Sequence, residues 1–242
     1  MRPGELTTFE QMQLIARAAA AQAMSTPSML RLRLGHYPTG TLALRKRPLP
    51  DTKLCSEALD HAKGSLSPAV LNHSLRCWIW ADVFAQIDAI EYDPEDLFTA
   101  CALHDVGLGA EGSAEHGCFT YISAADAEEL TTRVGASERS IKRIGEAIRL
   151  HMDLTVDRDV GADAYLLHAA AHFDVAGRRA PEVPRAAVHA AIAEYPRTGF
   201  TDEFAQSMRR EVELRRLSRA ATLWRSGMAP PLRTNPLDWK SR

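Results

Sequence analysis

Apolar residues repeat along most of this chain at intervals of three and four positions, the spacing of one face of an α-helix. No run alternates convincingly between apolar and polar residues, so the pattern predicts an all-α fold. Start signals are clearest at Thr7, at Ser67-Pro68 and at Asp93-Pro94, where capping residues or prolines precede an apolar run. The predicted helices cover 8–23, 68–90, 94–105, 122–134, 137–150, 161–176, 184–194 and 200–220.

Two terminal regions depart from this periodicity. Residues 25–50 hold four prolines, two glycines and five basic residues without an acid, which predicts a solvated connector more than an anion-binding arm. The chain from Gly227 onward is irregular in pattern. We therefore predict an N-terminal helix and connector at 1–50, a main helical domain at 51–220 and an irregular tail at 221–242.

Composition excludes several classes of protein. The formal net charge is -2, so no general attraction to nucleic acid or to a membrane surface is expected. No apolar run approaches the roughly 20 residues of a membrane span, and the first residues lack the apolar core of a secretory signal. The four cysteines form no CxxC pair and predict reduced core thiols in a cytoplasmic protein. Whether the chain forms a homo-oligomer is left open.

Ionisable side chains interrupt the apolar faces of three predicted helices. His73, His104 and Asp174 each share a face with apolar residues, and Asp105 adjoins His104. One inward histidine is usually a hydrogen-bonded core residue, but a buried carboxylate needs a cation or several donors. Two carboxylates and two histidines together suit a divalent metal ion. Periodicity shows that each faces inward, but it does not show that they converge.

Five short motifs occur in a fixed order around these residues. They are NHSLR at 72–76, LHDVG at 103–107, EAIRLH at 146–151, FDVAG at 173–177 and YPRTGF at 195–200. This series resembles the HD-domain superfamily of metal-dependent hydrolases and, within it, the cyanamide-hydratase-like branch. An isolated His-Asp pair carries little information, whereas five ordered matches over roughly 50–215 are specific.

The resemblance implies a compact helical bundle around one divalent ion, zinc being favoured over iron or manganese. By that resemblance the metal ligands are His73, His104, Asp105 and Asp174. A metal-activated water would then add to a small nitrile-like substrate, converting cyanamide to urea, and Asp105 would also handle a proton.

Further site residues follow from the same resemblance. His151 matches a pocket histidine that contacts substrate, although a polar residue at a helix C-terminus also explains it. Asn72 is a second candidate for substrate binding. Thr120 stands where the family tends to have glutamate, so either His116, in the loop before it, takes a catalytic role or the substrate differs. An exposed loop residue is an equal explanation for His116.

Other functions compete with this interpretation. An HD-type phosphohydrolase acting on a nucleotide or another phosphate ester would need cations near the metal, for which Arg76 or Arg149 is available. A dinuclear-iron oxygenase would use His116 and His151 as extra ligands. A helical interaction module without catalysis is a third alternative, which the complete ligand set argues against.

Two features are interpreted as structural. Arg76 is expected to anchor an acidic partner inside the fold. The HAAAH pair, His168 and His172, is placed on the solvent side of its helix or at an interface, because His172 lies nearly opposite Asp174 on a helical wheel.

Overall fold

The computed structural model describes residues 1–34, 47–110 and 117–238, and these segments are mainly helical. No β-strand occurs among them, apart from one isolated bridge between Glu5 and Ser218. The all-α prediction is therefore confirmed. The α-helices are α1 (Thr8–Arg33), α2 (Lys53–Ser65), α3 (Pro68–Asp88), α4 (Pro94–Leu103), α5 (Phe119–Val134), α6 (Glu138–Leu150), α7 (Ala162–Ala176), α8 (Arg185–Glu194), α9 (Phe200–Leu214), α10 (Arg219–Leu223) and α11 (Ala229–Arg233).

The predicted start signals act as helix caps. Thr7 and Glu10 form a reciprocal capping box at α1. The Ser67 side chain accepts a hydrogen bond from the Val70 amide at the start of α3. The Asp93 carboxylate accepts hydrogen bonds from the first amides of α4. These local signals place the starts of α3 and α4, the helices that lead to His73 and His104.

Helices α3 and α7 pack against each other, and α4 and α6 lie against them. The Trp80 and Phe173 rings meet edge to face between α3 and α7, with centroids 4.9 Å apart. Both helices are buried on most of their faces. His73 on α3 and Asp174 on α7 are consequently carried into the interior.

The predicted connector at 25–50 is wrong in its first part. Helix α1 continues through Pro27 to Arg33 instead of ending near Ala23. Leu32, 2% exposed, packs in the main core, and this burial offsets part of the local cost of a proline inside the helix. Residues 35–46 of the connector lie outside the described residues.

The predicted irregular tail is also wrong within the described residues. Residues 224–228 form a π-helical turn, and α11 and a short 3₁₀ turn at 236–238 follow. Leu232 and Asn235 are fully buried, and the Asn235 amide donates to the Asp174 backbone carbonyl at 2.8 Å. The tail folds because the bundle offers it apolar surface and hydrogen-bond partners that the sequence pattern does not reveal.

All four cysteines are unpaired and buried, as predicted for core thiols. Within the segments that the structure describes, none of the helices combines the length and the apolar character of a membrane span.

Candidate metal centre

Three buried side-chain atoms converge between α3 and the end of α4. The Nε2 atoms of His73 and His104 lie 3.2 Å apart. The Oδ2 atom of Asp105 lies 3.5 Å from the first and 3.4 Å from the second. Ligand atoms on one tetrahedral ion with bonds of 2.0–2.1 Å are about 3.3 Å apart. Oδ2 of Asp105 is buried without a hydrogen-bond partner among the described residues, so this triangle fits one divalent ion.

The chain turns sharply after His104 and Asp105. His104 is the residue at which α4 ends, and the Gly107 amide donates to the Ser123 hydroxyl at 2.9 Å. A Cβ atom at Gly107 would meet Ile122 at 2.9 Å and the Phe119 carbonyl oxygen at 2.9 Å. Glycine is therefore required for the close approach that packs this turn against α5.

The three histidine rings of the site are oriented in the same way, each by a contact of its Nδ1 atom with an oxygen atom. The Nδ1 atoms of His104 and His151 face the backbone carbonyls of Cys101 and Ile148, at 2.8 and 2.7 Å. His73 Nδ1 faces the Asp174 carboxylate at 2.7 Å. A proton on Nδ1 leaves the Nε2 lone pair for the centre. Burial lowers the pKa of His104 to about 3, which keeps its ring neutral near pH 7.

Asp174 lies on the outer side of His73, where its oxygens are fully engaged. Arg76 donates twice to this carboxylate at 2.8 Å, Trp80 donates at 2.8 Å and Arg197 at 3.0 Å. Burial by itself would raise the pKa of Asp174, but the two arginines hold it well below its usual value. The expected anchoring role of Arg76 is confirmed. Direct binding of a metal by Asp174 stays a prediction.

The YPRTGF motif closes over this ion-pair network. Arg76 also donates to the carbonyls of Tyr195 and Pro196, at 3.1 and 3.0 Å. The Phe200 ring stacks on His73 with centroids 4.7 Å apart. The motif therefore holds Arg76 and His73 in place.

His151 faces the other oxygen of Asp105. Its Nε2 atom lies 3.6 Å from Asp105 Oδ1, and its ring meets that of His104 with centroids 4.8 Å apart. The two oxygens of Asp105 thus face different groups, Oδ2 the pair His73 and His104, and Oδ1 the ring of His151.

A cavity of about 30 Å³ opens beside this centre. On the same scale one water molecule needs roughly 10–15 Å³, so the cavity holds two or three water-sized groups. Apart from the site's ionisable groups its wall is mostly apolar. The lining residues are His73, His104, Asp105, His151, Met152, Ala171, His172, Val175, Ala176, Phe204 and Met228.

Comparison with known proteins agrees with this geometry. The family model named HD domain matches residues 70–193, slightly more than half of the chain. The chain belongs to the HD-domain family. Cyanamide hydratase DDI2 and cyanamide hydratase DDI3 of Saccharomyces cerevisiae are each 27% identical to it over 162 residues, which cover 65% of this chain and 72% of each relative. The resemblance to the cyanamide-hydratase-like branch of HD proteins is thereby supported by similarity over 162 residues as well as by motifs.

Not every predicted site residue of this HD domain reaches the cavity wall. The Asn72 amide donates to the Pro196 carbonyl at 3.2 Å, and the buried Thr120 hydroxyl donates to Cys118 Sγ at 3.4 Å. Neither is among the described residues that line the cavity. His116 lies outside the described residues. The roles of these three residues in binding or catalysis stay predictions.

The structure corrects the placement of His172. The residue is half-buried, but its Nε2 atom is buried and the residue lines the cavity beside the candidate metal centre, instead of lying on the solvent side of its helix. Helix α1 and the C-terminal tail cover this side of α7, and their contribution was not foreseen. The one available signal was the composition of α7, whose alanine-rich sequence has no charged face to expose.

Proposed function

We propose that this HD-domain protein is a metal-dependent hydratase that adds water to a small nitrile-like molecule, with cyanamide to urea as the specific reaction. The observation that carries the proposal is the small cavity beside His73, His104 and Asp105, which suits a substrate of a few heavy atoms. Cyanamide has three heavy atoms. The two yeast relatives, which are cyanamide hydratases, support the same substrate.

The donor set supports a choice of metal ligands. His73 Nε2, His104 Nε2 and an Asp105 oxygen would hold the ion, and zinc suits this mixture of imidazole and carboxylate. Asp174 is the predicted fourth ligand, and in the structure it fixes the ring of His73 through Nδ1. When bound, such an ion lowers the pKa of a coordinated water, so that hydroxide is available near neutral pH.

His151 and Asp105 are placed to move the protons. In hydration a C–O bond forms at the nitrile carbon, one C–N π bond breaks, and nitrogen gains the proton that water loses. A second proton then passes from the new hydroxyl oxygen to nitrogen and completes urea. His151 carries these protons on Nε2, because its Nδ1 is committed to the Ile148 carbonyl and Nε2 faces Asp105 at 3.6 Å.

Phosphate-ester hydrolysis, the main alternative, has less support. Arg76 and Arg149 were its candidate phosphate-binding cations, but Arg76 pairs with Asp174 and Arg149 with Glu128. Among the described residues that line the cavity there is no lysine or arginine. A phosphate would therefore lack the charged donors that bind it in most sites.

The direct test combines metal analysis with an assay for urea. We expect one metal ion per chain and urea formation from cyanamide in the wild-type protein. His151→Gln should keep the metal and lose most activity, because glutamine cannot carry a proton. His61→Gln is the matched control, because this half-buried histidine pairs with Asp126 and is not among the described residues that line the cavity.

Several results would contradict the proposal. Cleavage of phosphate esters without urea formation would favour the phosphohydrolase. Two irons per chain would favour the dinuclear oxygenase. Full metal content and activity in His104→Ala would exclude the site itself.

A further inference from the structure

We propose that His172 is a specificity-determining residue of this cavity and accepts a hydrogen bond from an N–H group of the substrate. The inference rests on the proposed hydratase function and narrows its substrate class. Small nitriles with an amino group on the nitrile carbon should be preferred to nitriles that carry only an alkyl group there.

The first observation is an unsatisfied atom. His172 lies on α7 in the cavity wall, and its Nε2 atom is buried without a hydrogen-bond partner among the described residues. Buried polar atoms are nearly always paired with protein, water or ligand. The apolar residues Ala171, Val175, Ala176 and Met228 line the same cavity. We infer that the partner of Nε2 is a molecule inside this cavity.

The second observation concerns the sense of that hydrogen bond. Burial lowers the pKa of His172, and the backbone of His151 opposes this shift. We assign the ring proton to Nδ1, on the side of that backbone. A neutral ring with its proton on Nδ1 presents Nε2 as an acceptor. Such an atom recognises an amino or amide N–H and gains nothing from a methyl group.

The ring is also held firmly. His168, one turn earlier on α7, packs on His172 with ring centroids 4.1 Å apart. His168 is fixed in turn, because its Nε2 atom lies 2.9 Å from the Asp153 carbonyl oxygen. A recognition group that is ordered before the substrate arrives loses little entropy on binding.

The third observation is the position of His172 between two cavities. An outer cavity of about 90 Å³ shares His172, Ala176 and Met228 with the inner one. Its other side is formed partly by α1, where the Gln22 amide donates to the Gly227 carbonyl at 3.0 Å. A molecule in either cavity therefore lies beside His172.

The kinetic test compares cyanamide with acetonitrile, which lacks an N–H. His172→Leu should lower kcat/KM for cyanamide roughly 10- to 100-fold, the usual effect of losing a buried hydrogen bond. It should change acetonitrile hydration, where measurable, by less than about threefold, since no such bond is lost. His172→Gln, which keeps an acceptor oxygen, should recover part of the cyanamide activity. Metal content should be unchanged in both variants, and His61→Leu should match wild type.

A binding measurement separates this inference from the proposed reaction. In the zinc-loaded full chain labelled with ¹⁵N-histidine, the His172 Nε2 resonance is identified by its loss in His172→Leu. Cyanamide and formamide should shift that resonance, whereas acetonitrile should not. If wild type forms no urea, the proposed reaction fails and this titration still decides the role of His172.

Three outcomes would overturn the inference. One is an equal loss of activity on cyanamide and acetonitrile in His172→Leu. Another is loss of the metal in both variants. The third is a His172 resonance that responds to none of the N–H donors, or that responds equally to acetonitrile.

Discussion

Replacing Asp174 with asparagine removes the charge on which two buried arginines depend. The carboxylate accepts two hydrogen bonds from Arg76 and one each from Trp80, Arg197 and His73. The substitution keeps the shape of the side chain, so its effect isolates the loss of charge and of one acceptor atom.

The magnitude follows from the two orientations of the new amide. If its nitrogen replaces Oδ2, the donors on His73, Arg76 Nη2 and Arg197 lose their acceptor. If it replaces Oδ1, Arg76 Nε and Trp80 lose theirs. At least two hydrogen bonds to a charged group are lost, each contributing about 1.5–3 kcal/mol. We expect Asp174→Asn to lower the free energy of unfolding by about 3–5 kcal/mol, in line with other broken buried ion pairs.

The assay is denaturant unfolding of metal-free protein at pH 7, which separates the network from any metal bound to it. Asp60→Asn is the matched control. Asp60 pairs with Lys63 at 2.9 Å, but its side chain is 70% exposed, so the control should lose less than about 1 kcal/mol.

Equal losses in Asp174→Asn and Asp60→Asn would refute this reasoning, because they would show that the buried network contributes no more than a surface ion pair. A change in the denaturant slope without a change in midpoint would also count against it, since that signals an altered denatured state.

Three further predictions follow from other parts of the molecule. Removing the metal with a chelator should abolish urea formation without loss of helical circular dichroism, and added zinc should restore it; activity in verified metal-free protein would contradict this. Burial, opposed by Arg143, raises the pKa of Asp163 to about 6. The folded state then binds this proton more tightly than the unfolded chain, so wild type should gain about 1 kcal/mol between pH 7 and pH 5 relative to Asp163→Asn. Identical pH dependence in unfolding experiments on the two proteins would disprove it. Gly177→Ala should cost about 1–3 kcal/mol in thermal or denaturant unfolding. Its φ is +66°, and a Cβ there would lie 2.5 Å from Pro236. Gly64→Ala, in open space, should cost nothing, and equal effects of the two would be the contrary result.

Much of the metal centre was predictable because it depends on short-range order. The spacing of three and four residues placed His73 and His104 on inward faces, and the capping signals at Ser67 and Asp93 set the helices that present them. Those features are local in the chain, and the structure shows the convergence of His73, His104 and Asp105 that periodicity could not establish.

The role of Asp174 was only partly predictable. The helical face on which Asp174 lies predicts that the residue is buried. A buried carboxylate in turn needs cationic or hydrogen-bonding partners. Which partner it contacts depends on Arg76, Trp80 and Arg197, which lie 98, 94 and 23 residues away in the chain. No helical period relates residues at such separations.

By itself, then, the sequence determined the helical class, the order of the motifs and the inward direction of the candidate metal-binding side chains, because each of these depends on neighbouring residues. Only the tertiary structure decided that the tail is helical, that α1 extends to Arg33 and that His172 lines the cavity. These outcomes depend on apolar surface and hydrogen-bond partners supplied by distant segments. A local pattern cannot show whether a weakly amphipathic helix such as α7 will be covered by another part of the chain or left facing solvent.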